Sequence, residues 1–590
     1  MEKKNLLQLS TAGFAIILLA ACNNGGGNQS SSANSTKVNS QLVQLKAQMQ
    51  NQSYDYIVPF KDYNNKIILS VNGLATAKSL SFNSNFKPKD GWGNCFGIGR
   101  HNLEFITINA NKGHITTIKP TNNSTLDLTQ TCDIMGTDSG GATVLEGVTD
   151  PQVYSVNVID NNDNEITLSI NEPCRATSCK DPGNGYENAG YYAQWSVWGR
   201  QYNPNMIPVN NLNHIIYAFI GFNPANGDIK TLDASADSWG LSAISRDLLQ
   251  YPYLKASLSF GGWTNNGVNT APMFAELASS ETSMNKFADQ AIELMQKTGF
   301  SGLDIDWEWW SDYGKGVAPA KQMLTFYKII KNKLDKVSQI DGKYYTLSIA
   351  VNGASDTIYA MQDPKNPNHV PDFWTQVNTL VDHVNIMSYD YHGAWESTPA
   401  YFQATQDFSN VDGYEIGQSR GMSIKNATDA YIKSGISPKK LVVGIPLYGR
   451  SMTVNAINHN SIGLLENVTG TGLKDYEAGI LDYKCIVNPV SDPVNGCGSA
   501  NPISGLAATT FYTHRSNVAT FNQYGLNALQ PWGYNSQLKT FLTYDDVWSA
   551  TEKTKYVIKN QLGGTMFWEI DGDATNDSQS IISTVKHTYN

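Results

Sequence analysis

Charge is what this sequence has least of. Asp, Glu, Lys and Arg make up 16% of its 590 residues, against about 25% in typical soluble domains. The net charge is −10 and no basic run offsets it, which argues against a nucleic-acid partner. There is no CxxC…CxxC or HExxH pattern, so neither a metal nor a cofactor is expected. The apolar run from Ala12 to Ala21 is shorter than the roughly 20 residues a membrane-spanning helix needs. Aromatic residues stand where charge is missing: they reach 11%, with 30 Tyr and 13 Trp. A neutral, aromatic, Asn-rich surface suits a polar but uncharged ligand such as a sugar.

The N-terminus reads as a targeting segment. Lys3 and Lys4 precede the apolar run, which ends in "LLAAC", and Leu19-Ala20-Ala21-Cys22 resembles the bacterial lipoprotein signal, in which the cysteine becomes the lipidated first residue. An ordinary cleaved signal peptide with an incidental cysteine is the competing reading. Residues 1–22 are thus expected to be a lipoprotein-type signal peptide and residues 23–50 a flexible Gly/Asn/Ser tether. The chain is expected to be exported, either anchored by lipid at Cys22 on the periplasmic or outer face of a membrane, or secreted. Six cysteines remain, Cys95, Cys132, Cys174, Cys179, Cys485 and Cys497, an even number that suits disulfides in an exported chain. Proximity in sequence favours Cys174–Cys179 and Cys485–Cys497, which leaves Cys95–Cys132.

Residues 51–173 read as all-β. "NKIILSVNG", "NLEFITINA", "VYSVNVID" and "NEITLSINE" run or alternate apolar between Asn/Gly/Asp clusters, and "DNNDN" at 160–164 has the composition of a hairpin connection. Short strands at this spacing point to an Ig- or fibronectin-like β-sandwich. Residues 174–187 form a linker. From 188 to 590 the texture changes to alternating strands and helices. Strand candidates begin at Tyr191, His214, Leu254, Gly302, Tyr345, His383, Leu441 and Gly564, separated by helical patterns such as "MNKFADQAIELMQKTG". Eight such units point to a (β/α)8 TIM barrel. The gap before the eighth strand is too long for one unit and is expected to hold an α+β insertion over 452–540.

The stretch "SGLDIDWEWW", 301–310, carries the chemistry. Asp304, Asp306 and Glu308 alternate with Leu303, Ile305 and Trp307, so the acids share one face of a strand. Side chains two apart lie about 6–7 Å from one another along it, and crowding of this kind raises the pKa of at least one carboxyl. A raised carboxyl pKa is what a general acid needs near neutral pH.

These residues resemble a known family. "SGLDIDWE" is similar to the DxxDxDxE signature of family 18 glycoside hydrolases, the chitinases. "SLSFGG", "MSYDYHGAW", "GIPLYGR", "YDD" and "GGTMFWEIDGD" resemble further segments of those enzymes, in the same order. Two departures stand out: Ser301 replaces the first Asp of the signature, and Trp309-Trp310 replaces the usual aromatic-Pro after the Glu.

The resemblance implies a chitinase that cleaves β-1,4-linked N-acetylglucosamine chains, acting as a monomer without a cofactor. It implies a retaining reaction in which the substrate's own acetamido group is the nucleophile. Glu308 would be the acid and base, Asp306 would orient the acetamido group, and Asp304 would share a proton with Asp306. Tyr389 would hold the acetamido carbonyl, and Ser259 would bond the acid pair. Met387 and Asp390 would line the site, and Trp568 would form the floor under the reacting ring. Trp263 and Trp395 would stack on the leaving sugars, with Tyr448 and Arg450 on the opposite side. His392 reads as a hydrogen-bonded structural residue. An endo-β-N-acetylglucosaminidase acting on N-glycans and a chitin-binding, lectin-like relative are the alternatives.

Overall fold

The computed structural model describes residues 180–590, except 252, 266, 309–319, 397–400, 408–421, 456–462, 488–511, 514–528 and 536–537, together with five short strands before residue 170. The chain divides into two units, Met1–Arg175 and Ala176–Asn590. In the first, Tyr54–Pro59, Phe105–Asn111 and His114–Ile115 form an antiparallel sheet. Ser155–Ile159 pairs antiparallel with Glu165–Ser169, Ile159 opposite Glu165. The rest of the expected sandwich, the signal segment, the tether and the cysteines at 22, 95, 132, 174 and 179 lie outside the described residues.

The second unit is built on eight parallel strands: β1 (Glu187–Ala193), β2 (His214–Phe222), β3 (Lys255–Gly261), β4 (Gly302–Asp306), β5 (Thr346–Asn352), β6 (His383–Met387), β7 (Leu441–Pro446) and β8 (Gly564–Trp568). Each pairs with its neighbour, and β8 pairs back to β1, which closes the barrel. Strands covered on both faces need no polar alternation, and "HIIYAFIGF" of β2 is buried throughout. The connecting helices announce their ends in the sequence. The helix Glu281–Thr298 starts at Ser280, whose side chain accepts from Ser283 N, and stops at Gly299 with φ 72°, the left-handed position glycine favours.

One connection departs from the expected pattern. Between β1 and β2 the described residues hold only two 3₁₀ turns, Gln194–Val197 and Pro204–Met206. Gly199 and Pro204 interrupt this stretch, and neither continues an α-helix well.

Between β7 and β8 the chain forms an antiparallel sheet of Tyr448–Val454, Val468–Thr471, Ile480–Asp482, Tyr512–Thr513, Trp532–Asn535 and Thr540–Thr543. It starts four residues before the expected 452, with Leu447 alone separating it from β7. Cys485 is buried on the short helix Tyr483–Val487, while Cys497 lies outside the described residues.

"YDD" is structural in this chain. Asp546 caps the helix Val547–Lys559, accepting from Trp548 N at 2.9 Å and Ser549 N at 3.0 Å, with Ser549 Oγ returning the bond as acceptor from Asp546 N. Asp545 meets Lys553 Nζ at 2.6 Å, both side chains fully buried. Removing one partner of such a pair strands a buried charge. Lys553→Met is therefore expected to lose about 3–5 kcal/mol of stability, read as a lower urea midpoint. A midpoint equal to that of the wild type would contradict the pairing.

Candidate active site

The register of the barrel strands assembles the site around β4. Asp304 lies opposite Ser259 on β3 and Ser348 on β5. Its Oδ2 accepts from Ser259 Oγ at 2.7 Å and Tyr191 Oη at 3.1 Å. Its Oδ1 accepts from Ser348 Oγ at 2.5 Å and Asn385 Nδ2 at 3.3 Å. Asp304 is fully buried, and burial pushes its pKa up while these hydroxyl bonds oppose the shift. Only Ser259 of these four donors was expected. The usable signal was a hydroxyl inside a buried strand, as Ser348 is in "TLSIAV" of β5, whereas Tyr191 and Asn385 reach Asp304 from strands remote in sequence.

Asp306 and Glu308 differ from Asp304. Asp306 Oδ1 is buried with no hydrogen-bond partner among the described residues. Both oxygens of Asp304 are taken by the four donors above. Burial, with the charges of Glu308 and Asp304, pushes the Asp306 pKa well above the carboxylate range. Glu308 lies two residues past the end of β4, 9% exposed, and burial and the charge of Asp390 push its pKa up to about 8. The apolar alternates face away: Trp307 is buried and stacks on Phe274 of the helix Thr270–Leu277, ring centroids 5.1 Å apart.

The two glycines of "SLSFGG" let β3 end against β4. Gly262 N donates to Asp306 O at 3.0 Å. Gly261 has φ 120°, and a Cβ there would fall 1.9 Å from that same carbonyl oxygen, closer than any side chain could stand.

A second group forms after β6 and β7. Asp390, at φ 56°, accepts from Arg450 Nε at 2.7 Å, Arg450 Nη2 at 2.6 Å and Tyr448 Oη at 2.8 Å. The Arg450 guanidinium also lies over the Trp395 ring, 5.0 Å from its centroid. Tyr389 is buried, its hydroxyl 3.9 Å from Met566 Sδ. Met387 ends β6 and packs with Trp568 against the buried cluster of Tyr191, Tyr389 and Met566.

Trp568, at the end of β8, stacks on Phe219 and meets Tyr191 edge-on, at centroid distances of 5.8 and 5.7 Å. Trp263 and Trp395 are more than half exposed, and Trp195 and Trp198 somewhat less. Arg200, not singled out in the sequence, ties the neighbourhood of Trp568 together. It reaches Asp482 and Asp571 at 3.0 Å and Glu569, next to Trp568, at 3.1 Å.

His392 is buried and bonds Glu396 Oε2 at 2.8 Å, as a structural residue should. Ser301 Oγ lies 3.4 Å from Ala256 O, so the residue in place of the first motif Asp contacts backbone. Trp309 and Trp310 lie outside the described residues. Asp475, Asp482 and Cys485 have ligand-like spacing, but both oxygens of Asp482 are engaged by Arg200.

Sequence comparisons agree with this geometry. The model of the glycosyl hydrolases family 18 matches residues 187–573. Chitinase A1 of Niallia circulans is 26% identical over 466 residues, covering 70% of this chain and 61% of that protein. Endochitinase 1 of Metarhizium robertsii is 28% identical over 441 residues, covering 69% and 87%. The class V chitinase of Nicotiana tobaccum, solved in complex with NAG4, shares the fold with a TM-score of 0.53 at 20% identity, covering 69% of this chain and 99% of that one. The family match runs from the first residue of β1 to beyond β8 and covers well over half of the chain; the chain belongs to the glycosyl hydrolases of family 18, and these relatives within it are chitinases.

Proposed function

We propose that this protein is a chitinase that hydrolyses β-1,4-linked N-acetylglucosamine chains with retention, the substrate's acetamido group acting as nucleophile. The observation that carries this reading is the unpartnered, buried Oδ1 of Asp306 one strand step from an acid whose pKa of about 8 keeps it protonated at neutral pH. An unmet buried acceptor is costly, and an acetamido N–H supplies the missing donor. The alternative nucleophile, Asp390, has both oxygens held by Arg450 and Tyr448.

In this reading Glu308 gives its proton to the glycosidic oxygen as the C1–O bond breaks. The acetamido carbonyl oxygen, held by Tyr389, bonds to C1 and forms an oxazolinium ion, whose N–H donates to Asp306. Glu308, now ionised, takes a proton from the water that attacks C1 and reopens the ring. Asp304, fixed by Ser259, supports the pKa of Asp306 through its charge. Trp568 is the floor, Trp263 and Trp395 stack on the leaving sugars, and Asp390, Tyr448 and Arg450 line the cleft. The chitinases among its relatives and the NAG4 complex of the Nicotiana tobaccum enzyme support the choice of ligand.

The test is hydrolysis of N-acetylglucosamine oligomers beside a high-mannose glycoprotein. Cleavage of the oligomers alone is expected. Release of the glycan instead would identify an endo-β-N-acetylglucosaminidase, and binding without cleavage a lectin-like protein. Lipidation at Cys22 and a Cys485–Cys497 disulfide rest on the sequence and stand as further proposals, tested by membrane fractionation and non-reducing peptide mapping.

A further inference from the structure

We propose that Gln403, which belongs to no motif of the sequence, is a positioning residue that holds Asp390 and Tyr448 in register at the catalytic centre. The proposal rests on the chemistry assigned above to Glu308. Gln403 is fully buried, and its neighbours in sequence belong to different cores. Tyr401 and Phe402 pack with Met452, Trp532 and Phe541 of the antiparallel sheet. Ala404 packs with Tyr191, Tyr389, Tyr448 and Met566 at the barrel centre. Gln403 is thus the polar residue at the seam between the sheet and the barrel.

Its hydrogen bonds run to both sides of that seam. Gln403 Nε2 donates to Tyr448 O at 2.8 Å and to Thr543 O at 3.4 Å, and its backbone N–H donates to Thr543 Oγ1 at 3.2 Å. Its backbone carbonyl accepts from Tyr391 N at 2.9 Å. One residue therefore fixes the position after Asp390 and the main chain of Tyr448, the two residues joined by the 2.8 Å hydroxyl–carboxylate bond. The backbone of Asp390 sits at φ 56°, a conformation few non-glycine residues adopt unaided, so an outside clamp has something to hold.

Packing alone does not account for the amide. Gln403 Oε1 is buried with no hydrogen-bond partner among the described residues, a cost that an apolar side chain of the same length would avoid. What an apolar side chain would lose is the pair of N–H bonds to the main chain of Tyr448 and Thr543. If these hold Asp390, loosening them moves its charge relative to Glu308, the group it acts on. The consequence is a change in the pH dependence of turnover, which a purely structural role would not produce.

The experiment compares Gln403→Leu and Thr543→Val with wild type on an N-acetylglucosamine tetramer across pH 5–10. The expected result for Gln403→Leu is a fall in kcat of about 10–100-fold, the scale of a small misplacement near the chemistry. KM should change little, and the basic limb should move to lower pH. Thr543→Val removes one bond of the clamp and should move the same limb in the same direction by less. It carries the test if Gln403→Leu does not fold. A folded variant whose kcat and pH profile superimpose on wild type overturns the proposal. If Glu308→Gln also keeps activity, the assignment of the acid has failed as well; if Glu308→Gln is inactive, only the role of Gln403 has.

Discussion

Glu308→Gln loses hydrolysis of N-acetylglucosamine oligomers while keeping the fold and the bound sugar. Glutamine has the shape of glutamic acid, so the buried position past β4 is filled as before and Trp307 keeps its place on Phe274. What disappears is the transferable proton. General acid catalysis by a positioned group contributes about 10²–10⁴-fold, and because the same carboxyl also activates water in the second step, the loss belongs at the upper end of that range. The wild type carries the complementary signature. With a pKa of about 8, Glu308 is protonated at neutral pH and loses its proton as pH rises through that value. Turnover should thus fall on the alkaline side with a midpoint near it. This limb should vanish from whatever residual activity the Gln variant keeps. Wild-type turnover by Glu308→Gln would remove Glu308 from the role of acid; an unchanged alkaline limb in its residual activity would assign that limb to another group.

The shared face of the acids was legible because a strand alternates its side chains; the roles expected of Asp304, Asp306 and Glu308 came from the family resemblance. The barrel was legible for a related reason: strands covered on both faces read as short apolar runs. What escaped was set across the chain rather than along it. Tyr191 and Asn385 meet Asp304 only once β1, β4 and β6 share one interior. Arg200 acquires its three carboxylate partners from segments beyond residue 480. The start of the inserted sheet was misjudged because Leu447 alone separates it from β7, so no turn residues mark the boundary. Strand register gives Asp304 its two serine donors, and Tyr191 and Asn385 complete the set from β1 and β6.

A β-1,4-glucan oligomer, which carries a hydroxyl where chitin carries an acetamide, should not be cleaved even where it binds. Fully deacetylated chitosan should resist the enzyme for the same reason. The argument starts at Asp306. Its Oδ1 is buried and unpartnered, and neither a 2-hydroxyl nor an amine reproduces an amide, whose N–H bonds the carboxylate while its carbonyl oxygen reaches C1. Without that carbonyl the enzyme needs a protein nucleophile. A retaining glycosidase of the ordinary kind holds a second carboxylate about 5–5.5 Å from the acid. Asp390 acts on Glu308 through its charge, but two bonds from Arg450 and one from Tyr448 occupy it. Asp304 is sealed by four donors. In the proposed mechanism the nucleophile arrives with the sugar, and partly acetylated chitosan should be cut only where an acetylated residue precedes the scissile bond. Two successive inversions at C1 give net retention, so the first product seen by NMR from an acetylated tetramer should be the β-anomer, which later mutarotates. An initial α-anomer, or rapid cleavage of the fully deacetylated polymer, would rule out the acetamide as nucleophile and with it the roles given to Asp306 and Tyr389.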